Sequence, residues 1–252
     1  GTHMSWRETL ENAFKDLGDI SGLTVFDAGS EGQAARFLAE RIGDGRVIGM
    51  NIWLGAYKTV RESVRELMDK VVLIKDDMRR MDYLKDDFFD LVVSYATIAD
   101  IEMLEATPGG TPTILRQFHR ILKKGGRLLI VEAIPPQEAK PVDEAQRLEL
   151  ELIKIHDRIL PINRYYNQSQ LSELLHSLGF VDVYGKAASE GEWHSSQEVT
   201  SETNGLRNTV MELVKDEKER EGLLRQIKEI SLQAKSASLR TPPYYALYAR
   251  KL

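Results

Sequence analysis

Short apolar runs alternate with helix-spaced segments through the first two-thirds of the chain, and this alternation restricts the fold more than any other feature. Thr24-Val25-Phe26-Asp27-Ala28-Gly29 is a short apolar run ending at a glycine. Gln33 to Ile42 reads as a helix, with Ala34, Phe37, Leu38 and Ile42 at helical spacing. Arg46 to Met50 reads as a second strand closed by Asn51, and Leu54 to Met68 as a second helix. Val71 to Ile74 is a third strand and Phe88 to Ser94 a fourth. Pro112 to Leu122 reads as a helix stopped at Lys123-Lys124-Gly125-Gly126, where glycine and positive charge suit a helix C-terminus. Arg127 to Ile134 is a fifth strand. Strands this apolar, separated by helices, imply a parallel sheet covered on both faces. Ligands of such sheets lie outside the carboxyl ends of the strands. That singles out the loops at residues 27–32, 50–53, 76–78, 94–100 and 132–136.

After Pro135-Pro136 the pattern changes. Val142 to Leu160 is a long charged amphipathic helix ending at Pro161. Ser169 is the expected N-cap of a shorter helix to Leu178, ended by Gly179. Val181 to Ala187 is a sixth strand, and Ala188 to Thr203 reads as a polar loop. Gly205 to Ala237 reads as mostly helical with a break at Gly222, and Pro242 to Arg250 as the last strand. A single domain over residues 4–252 is expected, with insertions at 137–167 and 189–240 forming a cap or lid. Gly1-Thr2-His3 ahead of Met4 reads as a cloning remnant, with the native start expected at Met4.

Composition narrows the chemistry. The chain carries 34 Lys+Arg against 39 Asp+Glu, a formal charge of −5, which argues against a general nucleic-acid surface. It has no cysteine, so disulfides, zinc-thiolate sites and thiol nucleophiles are excluded. No apolar run approaches the roughly 20 residues that span a bilayer, and no signal-peptide pattern is present. A soluble cytoplasmic protein with no membrane partner is the expectation.

The loop Asp27-Ala28-Gly29-Ser30-Glu31-Gly32 follows a strand and opens a helix. Its glycines permit close backbone approach, and helix N-terminal amides bind carboxylates or phosphates. Later segments add to this in order: Val47-Ile48-Gly49-Met50-Asn51, then Asp77-Met78, then Phe89-Asp90-Leu91-Val92-Val93-Ser94. Arg120 through Ile130, with Lys123-Lys124-Gly125-Gly126 at its centre, and Leu171 through Phe180 complete the series. Together these segments resemble the class I S-adenosylmethionine-dependent methyltransferases, of the small-molecule type, over roughly Leu23 to Val183. The resemblance implies an α/β Rossmann-like, seven-stranded, mostly parallel sheet flanked by helices. The helical insertions would then follow strand five and separate strands six and seven.

The resemblance also implies S-adenosylmethionine as cofactor and a set of contacts. Asp27 would orient the loop or bond the methionine amine, and the backbone at Gly29 and Gly32 would pass beside the methionine. Asn51 would meet the ribose, Ile52 and Trp53 the adenine face, and Asp77 and Met78 the adenine edge. Ser94 and Tyr95 would lie near the methyl group. Two departures stand out. The glycine loop is thinned to Gly29 and Gly32 and is one residue short. The ribose-binding acid is replaced by Asn51, whose amide lacks the charge-assisted strength of a carboxylate.

Methyl transfer needs positioning, and a base only where the acceptor carries a proton. Tyr95, His156, Tyr166 and His194 are the candidates for acceptor activation; Trp193-His194 forms a suggestive pair in a polar segment. His119 and His176 read as structural. No metal-ligand pattern is identified. Thr241-Pro242-Pro243-Tyr244 resembles the Asn-Pro-Pro-Tyr motif of nucleobase amino-methylating enzymes, but it lacks the amide and opens the last strand instead of following strand four. It reads as a rigid strand entry. The expected function is methyl transfer to a small-molecule acceptor, with a homodimer through the inserted helices as a candidate assembly. The alternative is a non-catalytic protein of the same fold that binds a partner or metabolite. A nicotinamide-dependent reductase is disfavoured, because the Gly-x-Gly-x-x-Gly spacing is absent.

Overall fold

The structure, a computed structural model, describes residues 4–29, 32–51, 54–104 and 110–252. Its elements run α1 (Trp6–Phe14), β1 (Thr24–Ala28), α2 (Gln33–Arg41), β2 (Arg46–Asn51), α3 (Leu54–Ser63) and β3 (Val71–Lys75). Then follow β4 (Phe89–Tyr95), α4 (Gly110–Ile121), β5 (Leu122–Ala133), α5 (Glu144–Ile159) and α6 (Gln168–Ser177). The chain closes with β6 (Phe180–Ser189), α7 (Ser196–Leu213), α8 (Glu217–Ala237) and β7 (Tyr244–Lys251). Short 3-10 turns lie at Arg65–Leu67 and Ile98–Leu104.

The seven strands form one sheet in the order β3-β2-β1-β4-β5-β7-β6. Strands β1 to β5 pair in parallel, and β7 runs antiparallel between β5 and β6. Alternate side chains of the central strands feed two cores. Val25, Leu91, Val93, Leu129 and Val131 face α1, α2 and α3, packing on Leu10, Phe37 and Leu38. Phe26, Val92, Leu128 and Ile130 face α4 and α6, packing on Ile114, Phe118 and Leu171. A third cluster joins α5, α7 and α8 through Leu148, Leu152, Leu206, Val210 and Ile227. Apolar burial at about 25 cal/mol per Å² drives all three. The strand order reverses between β1 and β4, so the crevice at their carboxyl ends is the switch point where such sheets bind ligands.

Several expectations change at the element ends. The helix read over Leu54 to Met68 is α3 followed by a 3-10 turn. The strand after α4 starts at Leu122, which pairs with Phe89 ahead of a register shift. α6 is capped by Asn167 in a box with Gln170, not by Ser169. The last strand begins at Tyr244, after both prolines. The predicted loop over Ala188 to Thr203 is overturned: α7 starts at Ser196, with Ser195 and Glu198 forming a reciprocal capping box. Gly222 breaks nothing. It lies inside α8, an added Cβ there meets open space, and the real break is Val214 to Asp216, where Asp216 caps α8. The amino-terminal helix α1, unread in the sequence, is held by a capping box of Ser5 and Glu8. Ser195→Ala should cost about 1 kcal/mol of stability, read by urea unfolding. An unchanged midpoint would mean that α7 does not depend on its cap.

Candidate functional site

The carboxyl ends of β1 and β2 lie side by side, with Ala28 opposite Met50. The Gly29 amide donates to the Met50 carbonyl at 2.8 Å, and the Asn51 amide donates to the Gly29 carbonyl at 3.4 Å. Gly29 has φ +71°, a conformation that L side chains rarely adopt. A Cβ there would collide with the Thr97 side chain and come within 3.3 Å of Met78 Cε. Gly32, at φ +116°, is the N-cap of α2 and supplies no side-chain acceptor to its first turn. Ser63 at the end of α3 closes on this loop by donating to the Gly32 carbonyl at 3.2 Å.

Asp27 and Asp77 are buried, at 1% and 4% exposure. Gly49 on β2 is in register with Asp27, and a Cβ there would press on Leu73 at 3.3 Å while making ordinary contact with Asp27 Oδ2 at 3.8 Å. The Asp77 carboxylate accepts from the Arg79 amide at 2.9 Å and from Arg79 Nε at 2.8 Å, and pairs with the rest of that guanidinium. The Arg79 hydrogen bonds hold its carboxyl below the usual carboxylate range. Met78 is buried among Met50, Ile98 and Ile101, below Gly29.

The end of β4 is tied to β5 and to β1. Thr97 Oγ1 donates to the Ala28 carbonyl at 2.9 Å. Glu132, 5% exposed at the end of β5, accepts from the amides of Thr97, Ile98 and Ala99 at 3.0, 3.2 and 3.3 Å. It therefore caps the 3-10 turn after β4 from the neighbouring strand. Burial, reinforced by the Asp100 charge and opposed by the three amides, pushes its carboxyl up to about 8.

Structure sorts the sequence-derived candidates. Asp27, Gly29, Gly32, Asn51, Asp77 and Met78 converge on the ends of β1 to β3; Ile52 and Trp53 lie outside the described residues. Ser94 is fully buried in register with Ala28 and Ile130, and its hydroxyl has no partner among the described residues. Tyr95 donates its hydroxyl to Glu192 at 2.7 Å and stacks on Tyr244 with centroids 6.1 Å apart. Burial, with the nearby Tyr244 and Glu192, drives the Tyr95 phenol far above its ordinary range.

The other three activation candidates lie in the inserted segments, and the one carrying Tyr166 reaches the crevice, where the Arg164 amide donates to the Ala99 carbonyl at 3.2 Å. His156 contacts Asp157 at 3.2 Å and lines a cleft between α5 and α7. His194 contacts Glu202 of α7 at 3.1 Å. Arg240 covers the Trp193 ring at 5.1 Å. Tyr166 presents its carbonyl to the Tyr245 hydroxyl at 2.6 Å, with Arg164 over its ring. Sequence reasoning missed Thr97, Glu132, Arg79 and Glu192. Thr97 and Glu132 lie in strand-end loops that the alternation had singled out; Glu192 left no local signal.

A switch-point crevice, a glycine turn into a helix and acidic or amide groups at three successive strand ends suit a nucleotide-bearing cofactor. Residues 26–130 match the family model described as "Methyltransferase domain". The matched segment is less than half of the chain and carries a methyltransferase-domain signature, and the sheet has the Rossmann-like fold of solved methyltransferase structures. Among solved structures, it is similar to Haemonchus contortus phosphoethanolamine N-methyltransferase 2 bound to phosphomonomethylethanolamine and S-adenosylhomocysteine. That match has 18% identity, covers 98% of this chain and 52% of the other, and has a TM-score of 0.60. The chain thus spans about half the length of that enzyme. It is also similar to the [4+2]-cyclase SpnF, with 20% identity, 98% and 83% coverage and a TM-score of 0.59. A third is Streptomyces coelicolor A3(2) geranyl diphosphate C-methyltransferase, solved with Mg²⁺, geranyl diphosphate and S-adenosylhomocysteine. Its identity is 14%, with 96% and 79% coverage and a TM-score of 0.56. No curated protein matches the chain at the level of sequence. No helix among the described residues is long and apolar enough to cross a membrane.

Proposed function

We propose that this chain transfers the methyl group of S-adenosylmethionine to a small-molecule acceptor held over the ends of β4 and β5. Residues 137–167 and 189–240 would form the cap above it. The observation that carries this reading is the convergence of Asp27, Gly29, Asn51, Asp77 and Thr97 at adjoining strand ends. The groups suit the cofactor. The amino-terminal amides of α2 would suit its carboxylate, buried Asp27 its ammonium, and Asn51 and Asp77 its ribose hydroxyls and adenine amine. When bound, S-adenosylmethionine supplies an electrophilic methyl on sulfur.

The chain's own contribution is placement. Glu132 fixes the Thr97–Ala99 backbone, Thr97 fixes the end of β1, and together they set the floor on which cofactor and acceptor meet. Tyr95 is no general base in this reading. Its proton is engaged by Glu192 and its phenol is pushed up by burial, so it anchors the cap segment at Glu192 to β4. Positioning without a dedicated base suits an acceptor that is already nucleophilic at neutral pH.

A second reading is a methyltransferase-fold protein that binds a metabolite without methyl transfer. The commitment of an Asn51 amide hydrogen to the Gly29 carbonyl favours it, because that hydrogen is drawn away from a ribose.

Isothermal titration with S-adenosylmethionine and S-adenosylhomocysteine tests the proposal. Saturable binding is expected, with Asp27→Ala weakening it roughly a hundredfold through loss of a buried charge partner. Asn51→Asp should leave affinity unchanged or tighten it. No binding at millimolar cofactor sinks the enzyme reading, and a weaker Asn51→Asp variant overturns the ribose placement. Binding with no S-adenosylhomocysteine formed across amine, hydroxyl and carbon acceptors would favour the second reading.

A further inference from the structure

Away from the crevice, α5, the segment after β6 and α7 bring Glu149, His194 and Glu202 together. One ligand atom from each lies within 4.8 Å of the others. His194 Nδ1 is 3.1 Å from Glu202 Oε2 and 3.9 Å from Glu149 Oε2. Glu149 is only 5% exposed. All three facing atoms are buried, and none makes a well-directed hydrogen bond among the described residues. Two buried carboxylate oxygens and an imidazole nitrogen aimed at one point are stabilised by a bound cation or by shared protons.

We propose that Glu149, His194 and Glu202 form a divalent transition-metal site that fastens the insertion after β5 to the insertion after β6. The ligand set selects the ion class. An imidazole with two carboxylates and no thiolate suits Zn²⁺ or Mn²⁺ and disfavours soft ions. At metal–ligand lengths near 2.1 Å, neighbouring ligand atoms of a tetrahedral site stand about 3.4 Å apart. The two observed separations from His194 bracket that value, so small side-chain rotations close the shell. Three protein ligands leave a position open for water or a small anion.

The surroundings hold the ligands in place. The His194 amide donates to the Leu239 carbonyl at 3.0 Å, and its carbonyl accepts from Ser238 Oγ at 2.9 Å. Glu149 and Glu202 stand on helices already packed through Leu148, Leu152, Val199 and Leu206. A cleft of about 280 Å³, lined by Leu152, His156, Asn163, Tyr165 and Glu202, gives an ion access from solvent. The sequence shows no ligand spacing because the three residues come from three separate segments. The segment that carries His194 also holds Glu192, which accepts the Tyr95 proton at 2.7 Å and ties it to β4.

The test uses the full chain with His3→Ala, so that the His3 imidazole does not compete, stripped with chelator. Titration with Zn²⁺ and Mn²⁺ should give one equivalent bound per chain and raise the thermal unfolding midpoint. Glu149→Gln and Glu202→Gln should each weaken binding roughly tenfold or more, and His194→Ala should do the same. Absence of saturable binding overturns the site, as does an equivalent retained with unchanged affinity in all three variants. If no metal binds and Glu149→Gln stabilises the protein, the two carboxylates share a proton and the proposal fails. Should the variants not fold, the wild-type chain decides: no bound equivalent and no shift in unfolding midpoint overturns the site.

Discussion

Gly29→Ala is expected to raise the dissociation constant for S-adenosylmethionine at least about a hundredfold and to destabilise the fold by roughly 2–5 kcal/mol. The estimate has two parts. At φ +71° an L side chain costs on the order of 1–2 kcal/mol. The new methyl would also collide with Thr97, and overpacking costs about 1–3 kcal/mol. Thr97 cannot step aside cheaply. It is buried, and its hydroxyl donates to the Ala28 carbonyl and contacts the Tyr95 carbonyl at 3.1 Å. Moving it breaks the link between β1 and β4 at the point where the cofactor would sit. Thr97→Ser removes the colliding methyl and keeps the hydroxyl. In the Gly29→Ala background it should recover the packing part of the loss and leave the torsional part. Urea unfolding of the four proteins gives the coupling, and titration gives the affinity. Additive effects would show that Thr97 is not what Gly29 makes room for.

The same pair shows where sequence reading works and where it stops. Gly29 is legible, because a glycine after an apolar strand and before an amphipathic helix has few local uses. Its partner Thr97 is not legible as a partner, since the contact forms only once β1 and β4 are neighbours. The sheet follows from the apolar runs at Val25, Val47, Leu91 and Leu128, whose two-sided burial requires helices on both faces, with the Val71 run at the edge. Asn51 and Asp77 are singled out by the family resemblance, which places cofactor contacts at strand ends. What Asp77 meets, the Arg79 guanidinium, depends on a turn geometry that spacing does not specify.

The misread segments have separate causes. α1 is declared by Trp6, Leu10, Ala13 and Phe14 at helical spacing and by the capping pair Ser5 and Glu8, while the start of α7 is polar and is declared by Ser195 and Glu198. Gly205 and Gly222 stand on helix surfaces where an added Cβ meets open space. At such positions glycine is only mildly unfavourable, and packing of Leu206 and Leu223 in the third core outweighs it. Tyr95 was chosen for its place on β4. Its engagement by Glu192, 97 residues away, changes its role from candidate base to anchor.

Glu132→Ala should be among the most destabilising single changes, at about 3–5 kcal/mol, because it strands three buried amides and leaves a cavity. It should also loosen Thr97 and so depress cofactor affinity. Glu132→Gln keeps an acceptor and the volume, and isolates the effect of charge. The carboxyl titrates at about 8 in the folded chain against 4.5 unfolded. Between those values the native state holds a proton that the unfolded state has released. Stability from this group is therefore full below pH 4.5 and lost as pH rises towards 8, with a slope of about 1.4 kcal/mol per pH unit, flattening above. The stability difference between wild type and Glu132→Gln, followed by urea unfolding from pH 5 to 9, should shrink or reverse along that slope. A difference that stays constant with pH would mean that Glu132 is ionised throughout and that its three amides outweigh its burial. Glu132 would then be a fixed negative charge beside the methyl-transfer region, and a cationic acceptor would become the favoured class.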